Sequence, residues 1–476
     1  MTALVWIQRE FRTDYLPSLN EALSKHDNVI VAYFHDASSP LGRASALWLG
    51  HALEALQKKY NDLGGRLWIA QGKFEASFQK LIETHKITQV YYCHQVGHTF
   101  VKNQQSVLTL CQKHHVYLQP FYSEDFFNPC DIKTLKAEPY LVFTPFYKNC
   151  STKLDQLTPL LPTINAWNKT ANIAVPLEYR PLPEDLKVLQ KTSWAKKMMQ
   201  HWRVGEQAAW QNFETFLSHI SDYSEERDYP SITATSRLSP YLHFGHINPV
   251  TLYFEIQVAL EAGQLKWHQA EPWVRQLFWR SFSRYLLTWF PFKEELEFNK
   301  KYRGITWDYD EVSYKAWCRG QTGIPIIDAG MRELWETGTM HNRVRMLVAS
   351  VLTKNMNHDW RQGLRWFEET LFDADPANNA MGWQWVAGTG VDAAPYYRLF
   401  NPVLQSQKFD SQGEYIKKWV PELKALSSKS IHEPWNFQAE CISKNIYLGK
   451  DYPKPLIDLE MSRTAHLKRV EQLKQS

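Results

Sequence analysis

The chain lacks the short signatures on which hydrolases and nucleotide-driven enzymes are built. It contains no HExxH pair, no P-loop and no Gly-x-Ser-x-Gly turn, so zinc proteolysis, P-loop ATP chemistry and esterase-type nucleophilic attack have no support. The Gly-x-Gly-x-x-Gly fingerprint is missing after the first apolar run, where the sequence reads QREFRTD, which argues against a dinucleotide bound in the usual Rossmann way. Six cysteines (Cys93, Cys111, Cys130, Cys150, Cys318, Cys441) form no CxxC pair, and reduced, buried thiols of a cytoplasmic protein are expected. Only two of the six lie in the second half, which excludes a four-cysteine cluster there. Cys93, His94 and His98 lack a fourth ligand, so no metal site is expected. The start, MTALVWIQRE, has no basic region leading into a long apolar run, so no signal peptide is expected. No window has the length of a membrane span. Net charge is also scarce: 54 Lys and Arg against 50 Asp and Glu leave +4, which permits nucleic-acid binding without demanding it.

Aromatic side chains are abundant, with 20 Trp, 23 Tyr and 24 Phe. Most are accounted for by a large core, but so many indoles raise the question of stacking platforms or redox relays. At 44% hydrophobic and 22% charged the chain is globular, and its 476 residues suffice for two or three domains.

The first 125 residues alternate. Apolar runs predict strands at Ala3–Gln8, Asn28–Phe34, Arg66–Ala70, Gln89–Cys93 and Val116–Phe121, with helical patterns at Ser18–Ser24, Ser45–Leu63, Phe74–His85 and Thr99–His114. This is an α/β unit with a parallel sheet covered on both faces. Residues 126–200 are rich in proline and poor in period, predicting a long connector wrapped over the surface. From 201 to 476 helical periodicity dominates, as in Gly205–Ser218, Pro249–Ala262, Pro272–Trp289, Tyr314–Trp317, Ile327–Thr337, Asn342–Asn355 and Trp360–Leu371. The second domain is therefore expected to be all-helical, ending in a charged terminal helix.

Three segments carry candidate chemistry. Thr235-Ser236-Arg237-Leu238-Ser239 precedes Pro240 and an apolar helix, a pattern that fits an anion site or an ordinary N-cap; Tyr223, Arg227 and Asp228 lie just upstream. In His341–Met346 (HNRVRM), Arg343 and Arg345 are two apart and cannot face the same way on a helix. One can reach a phosphate outside while the other pairs a buried acid, for which Asp373 is the natural partner; two solvated arginines are the plainer alternative. The stretch Asp373–Trp385, DADPANNAMGWQW, combines acids, paired asparagines and two tryptophans. Trp383 and Trp385 also diverge, so either one serves a cofactor and the other a substrate, or both are core.

With these segments in place, the chain resembles the DNA photolyase/cryptochrome family, most closely its class I-type cyclobutane pyrimidine dimer (CPD) photolyases. The resemblance runs nearly end to end, through YLVFTPF (Tyr140–Phe146), TSRLSPYLHFG, WVRQLFWRSF, WCRGQTGIPIIDAGMREL, MHNRVRM, DWRQG, the Asp373–Trp385 segment and DAAPYYRLFNP. It implies an antenna-binding α/β domain joined to a helical domain that holds FAD, with light-driven repair by electron transfer from excited FADH⁻ to a dimer flipped out of DNA. It further implies that Tyr223 and Thr235, Ser236, Arg237, Leu238 and Ser239 hold the FAD phosphates. Trp273, Arg345, Asp373, Ala374 and Asp375 would surround the rest of the cofactor, with Asn379 facing its flavin ring. Trp307, Trp360 and Trp383 match the tryptophan chain that photoreduces the flavin. Gln276, Met346, Trp279 and Trp385 match the walls around the dimer, and Arg227, Arg280, Asn342, Arg343, Arg398 and Gln405 match DNA-contacting positions.

Gln276 stands where many CPD photolyases have Glu; it donates and accepts hydrogen bonds but supplies neither charge nor proton. Ser281 and Glu10 depart from the pattern as well. A second chromophore of folate, deazaflavin or flavin type is implied without being specified. UV-damaged DNA is the expected partner, and a monomer with no membrane association is expected. The rival is a cryptochrome-type photoreceptor without repair, which would keep the tryptophan chain and lose the dimer-facing wall. A plain flavoprotein reductase is disfavoured by the missing nicotinamide fingerprint.

Overall fold

The computed structural model describes residues 1–39, 41–163, 166–291 and 296–475. Val, Ile, Leu and Ala fill the early apolar runs, and such runs are stable only when covered on both faces. They form β1 (Thr2–Ile7), β2 (Asn28–His35), β3 (Leu67–Gln71), β4 (Ile87–Cys93) and β5 (Tyr117–Phe121), each within two residues of its expected bounds. Between them run α1 (Pro17–Lys25), α2 (Arg43–Asp62), α3 (Phe74–His85) and α4 (His98–Lys113). All pairings are parallel, in the order β3-β2-β1-β4-β5. The order reverses between β1 and β4, so a crevice opens at their carboxyl ends.

That crevice is occupied by the helical domain. Phe11 N donates to Phe244 O at 3.1 Å, and Arg12 pairs with Glu124 at 2.6 Å, both side chains buried. Gly245, at φ +59°, lies so close that a Cβ would stand 2.1 Å from the Arg9 carbonyl oxygen; only glycine permits this approach. Burial, with the Glu124 charge nearby, pushes the Glu10 carboxyl up to about 7.

The connector is more structured than its composition predicts. It forms short helices at Phe143–Ser151, Glu184–Gln190 and Ser193–Met199. It also enters the helical domain: Phe143 stacks on Trp279 with ring centroids 3.7 Å apart, and Phe146 meets Phe282 and Tyr285, each at 5.0 Å. Phe143 and Phe146 are buried; two such rings are too costly to leave in water, and this overrides the proline-rich context.

Beyond residue 200 the described residues contain helices and two isolated bridges, Asp308 with His358 and Leu448 with Tyr452. The helix expected from Pro272 starts at Trp267, where Gln269 Oε1 accepts from Lys266 N at 2.9 Å, and Pro272 is carried inside. The helix expected over Asn342–Asn355 is α-helical to Ser350 and continues as a π-turn, Val351–Asn355. The chain closes with a helix at Leu459–Gln475. Among the described residues no helix is long and apolar enough to cross a membrane.

Candidate functional site

Helices Trp267–Trp289, Asn342–Ser350 and Pro376–Ala387, with the end of Trp360–Thr370, enclose a cavity of about 510 Å³, a size usual for organic ligands. Caps fix where these helices begin. His341 Nδ1 accepts from Arg343 N at 3.2 Å, Asp359 from Arg361 N at 2.9 Å, and Asp375 from Asn378 N at 2.9 Å ahead of Pro376. Once helical, Gln276, Trp279, Ser283 and Leu286 recur every three or four residues and line one wall. Gln276 Nε2 donates to Pro272 O at 3.1 Å.

Arg343 and Arg345 both line the cavity but diverge. Arg345 donates to Asp373 at 2.9 Å and to Met340 O at 2.7 Å. Arg343 pairs with Asp228 and lies 4.3 Å from the Phe409 ring centroid. Three side-chain atoms of cavity-lining residues, Arg343 Nε, Asp373 Oδ1 and Trp383 Nε1, are buried with no hydrogen-bond partner. Such atoms are costly unless something satisfies them, and a large ligand carrying both donors and acceptors would do so. Asn379, buried on the same wall, donates to Leu364 O at 3.2 Å.

Trp383 packs where helix Trp360–Thr370 has its glycine: a Cβ on Gly363 would sit 2.0 Å from the Trp383 ring. Gly363 lies one turn beyond the fully buried Trp360. Asp308 N donates to Asn357 O at 2.9 Å, which ties the partly exposed Trp307 to the start of the same helix. Of the three indoles, Trp383 and Trp360 are buried and Trp307 is partly exposed.

The cavity brings together Arg227, Gln276, Trp279, Asn342, Arg343, Arg345, Met346, Asp373, Asn379, Trp383 and Trp385 of the expected residues. It also uses Phe367, Asn378 and Met381, which the sequence reading did not single out; Asn378 was legible as the partner of Asn379, whereas Phe367 reads as ordinary helix core.

Other expected residues lie elsewhere. Tyr223 and Trp273 are buried against Phe216, with ring centroids at 5.6 and 5.2 Å. Asp375 is buried as a cap. Burial alone would raise its pKa, but nearby His243 and the Arg284 and Arg280 charges hold it well below the usual carboxylate range. Ala374 is partly buried beside it. In the Thr235–Ser239 segment Arg237 adopts a left-handed φ of 53°. Its guanidinium covers the Trp202 ring at 4.3 Å, so its charge is engaged there, and the helix that follows, Ser239–His243, is only one short turn. Arg398 is exposed and Gln405 half-buried, outside the cavity lining.

Arg280 is a correction. It was expected on the DNA face, but it is buried, donates to Glu124 O at 2.7 Å and lies 3.7 Å from Asp125. One residue beyond Trp279, it is rotated off the cavity face and holds the domain junction instead.

Residues 3–164 match the family described as DNA photolyase, and residues 273–472 that described as the FAD binding domain of DNA photolyase. A deoxyribodipyrimidine photo-lyase of Agrobacterium fabrum is 36% identical, over 96% of this chain and 94% of its own. A solved bacterial class III photolyase from Agrobacterium tumefaciens superposes with a TM-score of 0.92 at 35% identity, covering 100% of this chain and 98% of that one. A Synechocystis cryptochrome superposes at 0.90 with 27% identity, covering 98% of each. The class I subtype suggested by the motifs finds no support in the class III neighbour, and the shared cryptochrome architecture shows that the fold does not separate repair from signalling. With both halves matched and a photo-lyase relative aligned nearly end to end, the chain belongs to the DNA photolyase family.

Proposed function

We propose that this chain repairs cyclobutane pyrimidine dimers in DNA, using light and FAD. One observation carries the reading: a single cavity presents residues expected around the cofactor (Arg345, Asp373, Asn379, Trp383) and residues expected around a flipped dimer (Gln276, Met346, Trp385). The unsatisfied Asp373 oxygen and Trp383 N–H on its wall fit a large polar aromatic group such as FAD. When bound, FAD supplies the electron that splits the dimer and receives it back.

The protein binds and orients. Arg345 holds Asp373 in place, leaving its second oxygen to accept from the cofactor. Asn379, anchored through Leu364 O, fixes a polar side chain at the same wall. Trp385 offers a half-exposed ring on which a flipped base can stack. Trp279 contributes its uncovered side, because Phe143 lies flat on the other. Gln276 spends its amide N–H on Pro272 O and keeps its carbonyl oxygen for the lesion. Arg227, Arg343 and Arg398 contact phosphates, giving sequence-blind, salt-dependent binding. A second, antenna chromophore would sit on the α/β domain. We further infer a cytoplasmic monomer, consistent with six free cysteines, five of them buried.

A cryptochrome-type reading competes because of the shared fold. The retained wall of Trp385, Met346 and Gln276 favours repair. The test is a light-versus-dark assay with reduced, FAD-loaded protein and an oligonucleotide carrying one thymine dimer, following the ultraviolet absorbance of restored thymines. Recovery only in the light is expected; no recovery would move the reading to a photoreceptor, with Gln276 as the first suspect.

A further inference from the structure

We propose that the surface turn Lys300–Arg303 is a second phosphate-binding strip that grips undamaged duplex beside the lesion; this rests on the DNA-repair reading above. Lys300, Lys301 and Arg303 are all exposed, and none of them forms an ion pair with another described residue. Three cations within four residues, none of them ion-paired to a described residue, make this turn locally positive in a chain whose net charge is only +4.

The turn is fixed in place. Phe298 N donates to Gln384 Oε1 at 3.0 Å and Asn299 N to Thr389 O at 3.0 Å, which ties it to the end of the helix that carries Trp385. Asn299 caps it by accepting from Lys301 N at 3.1 Å. Tyr302, its one inward residue, stacks on Tyr396 with ring centroids 5.3 Å apart and planes 25° from parallel. Arg398, also exposed, follows Tyr396 by two residues. The turn therefore adjoins the segment 389–398, which carries the cavity-lining Val391 and the exposed Arg398, while Arg227 and Arg343 line the cavity itself. A dimer seated in the cavity leaves duplex running on over this surface. Phosphates repeat every 3.4 Å or so along a strand, a spacing that three neighbouring long side chains can follow. The chemistry that fits the strip is therefore the backbone of double-stranded DNA, read without regard to sequence.

The test compares full-length, FAD-loaded protein with the triple variant Lys300→Ala/Lys301→Ala/Arg303→Ala on two ligands: a long duplex containing one dimer, and a short single strand reaching only one nucleotide beyond the dimer on each side. Each phosphate contact contributes about 0.9 to the slope of log affinity against log salt on duplex DNA. The variant should lose roughly 2–3 in that slope on the duplex, with affinity at low salt falling about tenfold or more. Its affinity for the short strand and its FAD content should match wild type, and Lys300→Arg/Lys301→Arg/Arg303→Lys should restore the duplex slope. An unchanged duplex slope would overturn the strip, as would an equal loss on the short strand. Failure of the underlying reading looks different: wild-type protein would then show no preference for dimer-containing over undamaged duplex.

Discussion

Arg343 and Arg345 show how far a single residue can be read from sequence. Two positions apart on a helix, they must diverge, and the pairing of Arg345 with Asp373 follows from having one buried acid within reach. The pairing of Arg343 with Asp228 was not legible, because 115 residues separate them. Trp383 and Trp385 diverge for the same reason: Trp383 is buried and Trp385 half-exposed. Trp383 lies in edge contact with Phe367, ring centroids 5.0 Å apart, and fills the space left by Gly363. Trp383→Phe keeps an aromatic ring there but removes the easily oxidised indole. Blue light should no longer reduce oxidised FAD in that variant, whereas chemically reduced protein should still repair. Flavin absorbance under illumination reports the first and dimer repair the second; normal photoreduction would remove Trp383 from the relay.

At the scale of elements, period and punctuation located most helices and all five strands. The misses have physical causes. Pro272 looked like a helix start but is carried inside because the Gln269 side chain caps the helix earlier, at Lys266 N. The π-turn at Val351–Asn355 leaves no mark in hydrophobic period. Phe143 sits in a proline-rich stretch, and nothing local reveals that Trp279 is its partner. Gly363 is what lets helices Trp360–Thr370 and Pro376–Ala387 approach. Gly363→Ala would place its Cβ 2.0 Å from the Trp383 ring. The helix cannot absorb that overlap, so the ring or the helix must shift. Overpacking of this kind costs about 1–3 kcal/mol. The variant should melt at lower temperature and purify with less FAD, because the ring that moves is part of the cavity wall. A wild-type melting temperature and full FAD content would show that the two helices have slack here.

At the scale of the whole molecule, the domain junction was the least legible part. It joins Arg12 to Gly245 O, Arg284 to Asp125 and Phe11 to Phe244 and His246, all far apart in sequence. His246 shows what the junction demands. It is fully buried, with Nδ1 2.9 Å from Phe11 O and Nε2 accepting from Trp48 Nε1 at 3.0 Å. Only the neutral ring with its proton on Nδ1 satisfies both contacts; a second proton would face the Trp48 N–H. Burial accordingly lowers its pKa from 6.5 to about 4, and His94, His243, His341 and His466 are likewise held at about 4. For each, the unfolded chain binds the extra proton first. Their contribution to stability is present above pH 6.5 and is lost as the pH falls towards 4. Glu10, raised to about 7, and Asp410, raised to about 6, act in the opposite direction over part of the same range. In all, nine histidines are lowered and five carboxyls raised, so the melting temperature should fall on acidification from neutral pH. The share of His246 is at most about 3 kcal/mol, at roughly 1.4 kcal/mol per pKa unit. His246→Gln keeps one donor and one acceptor but cannot titrate. It should melt lower than wild type at pH 7 and lose less on acidification, giving a shallower plot of melting temperature against pH. Parallel plots for the two proteins would mean that the junction tolerates the imidazolium and that the acid sensitivity arises at the other histidines.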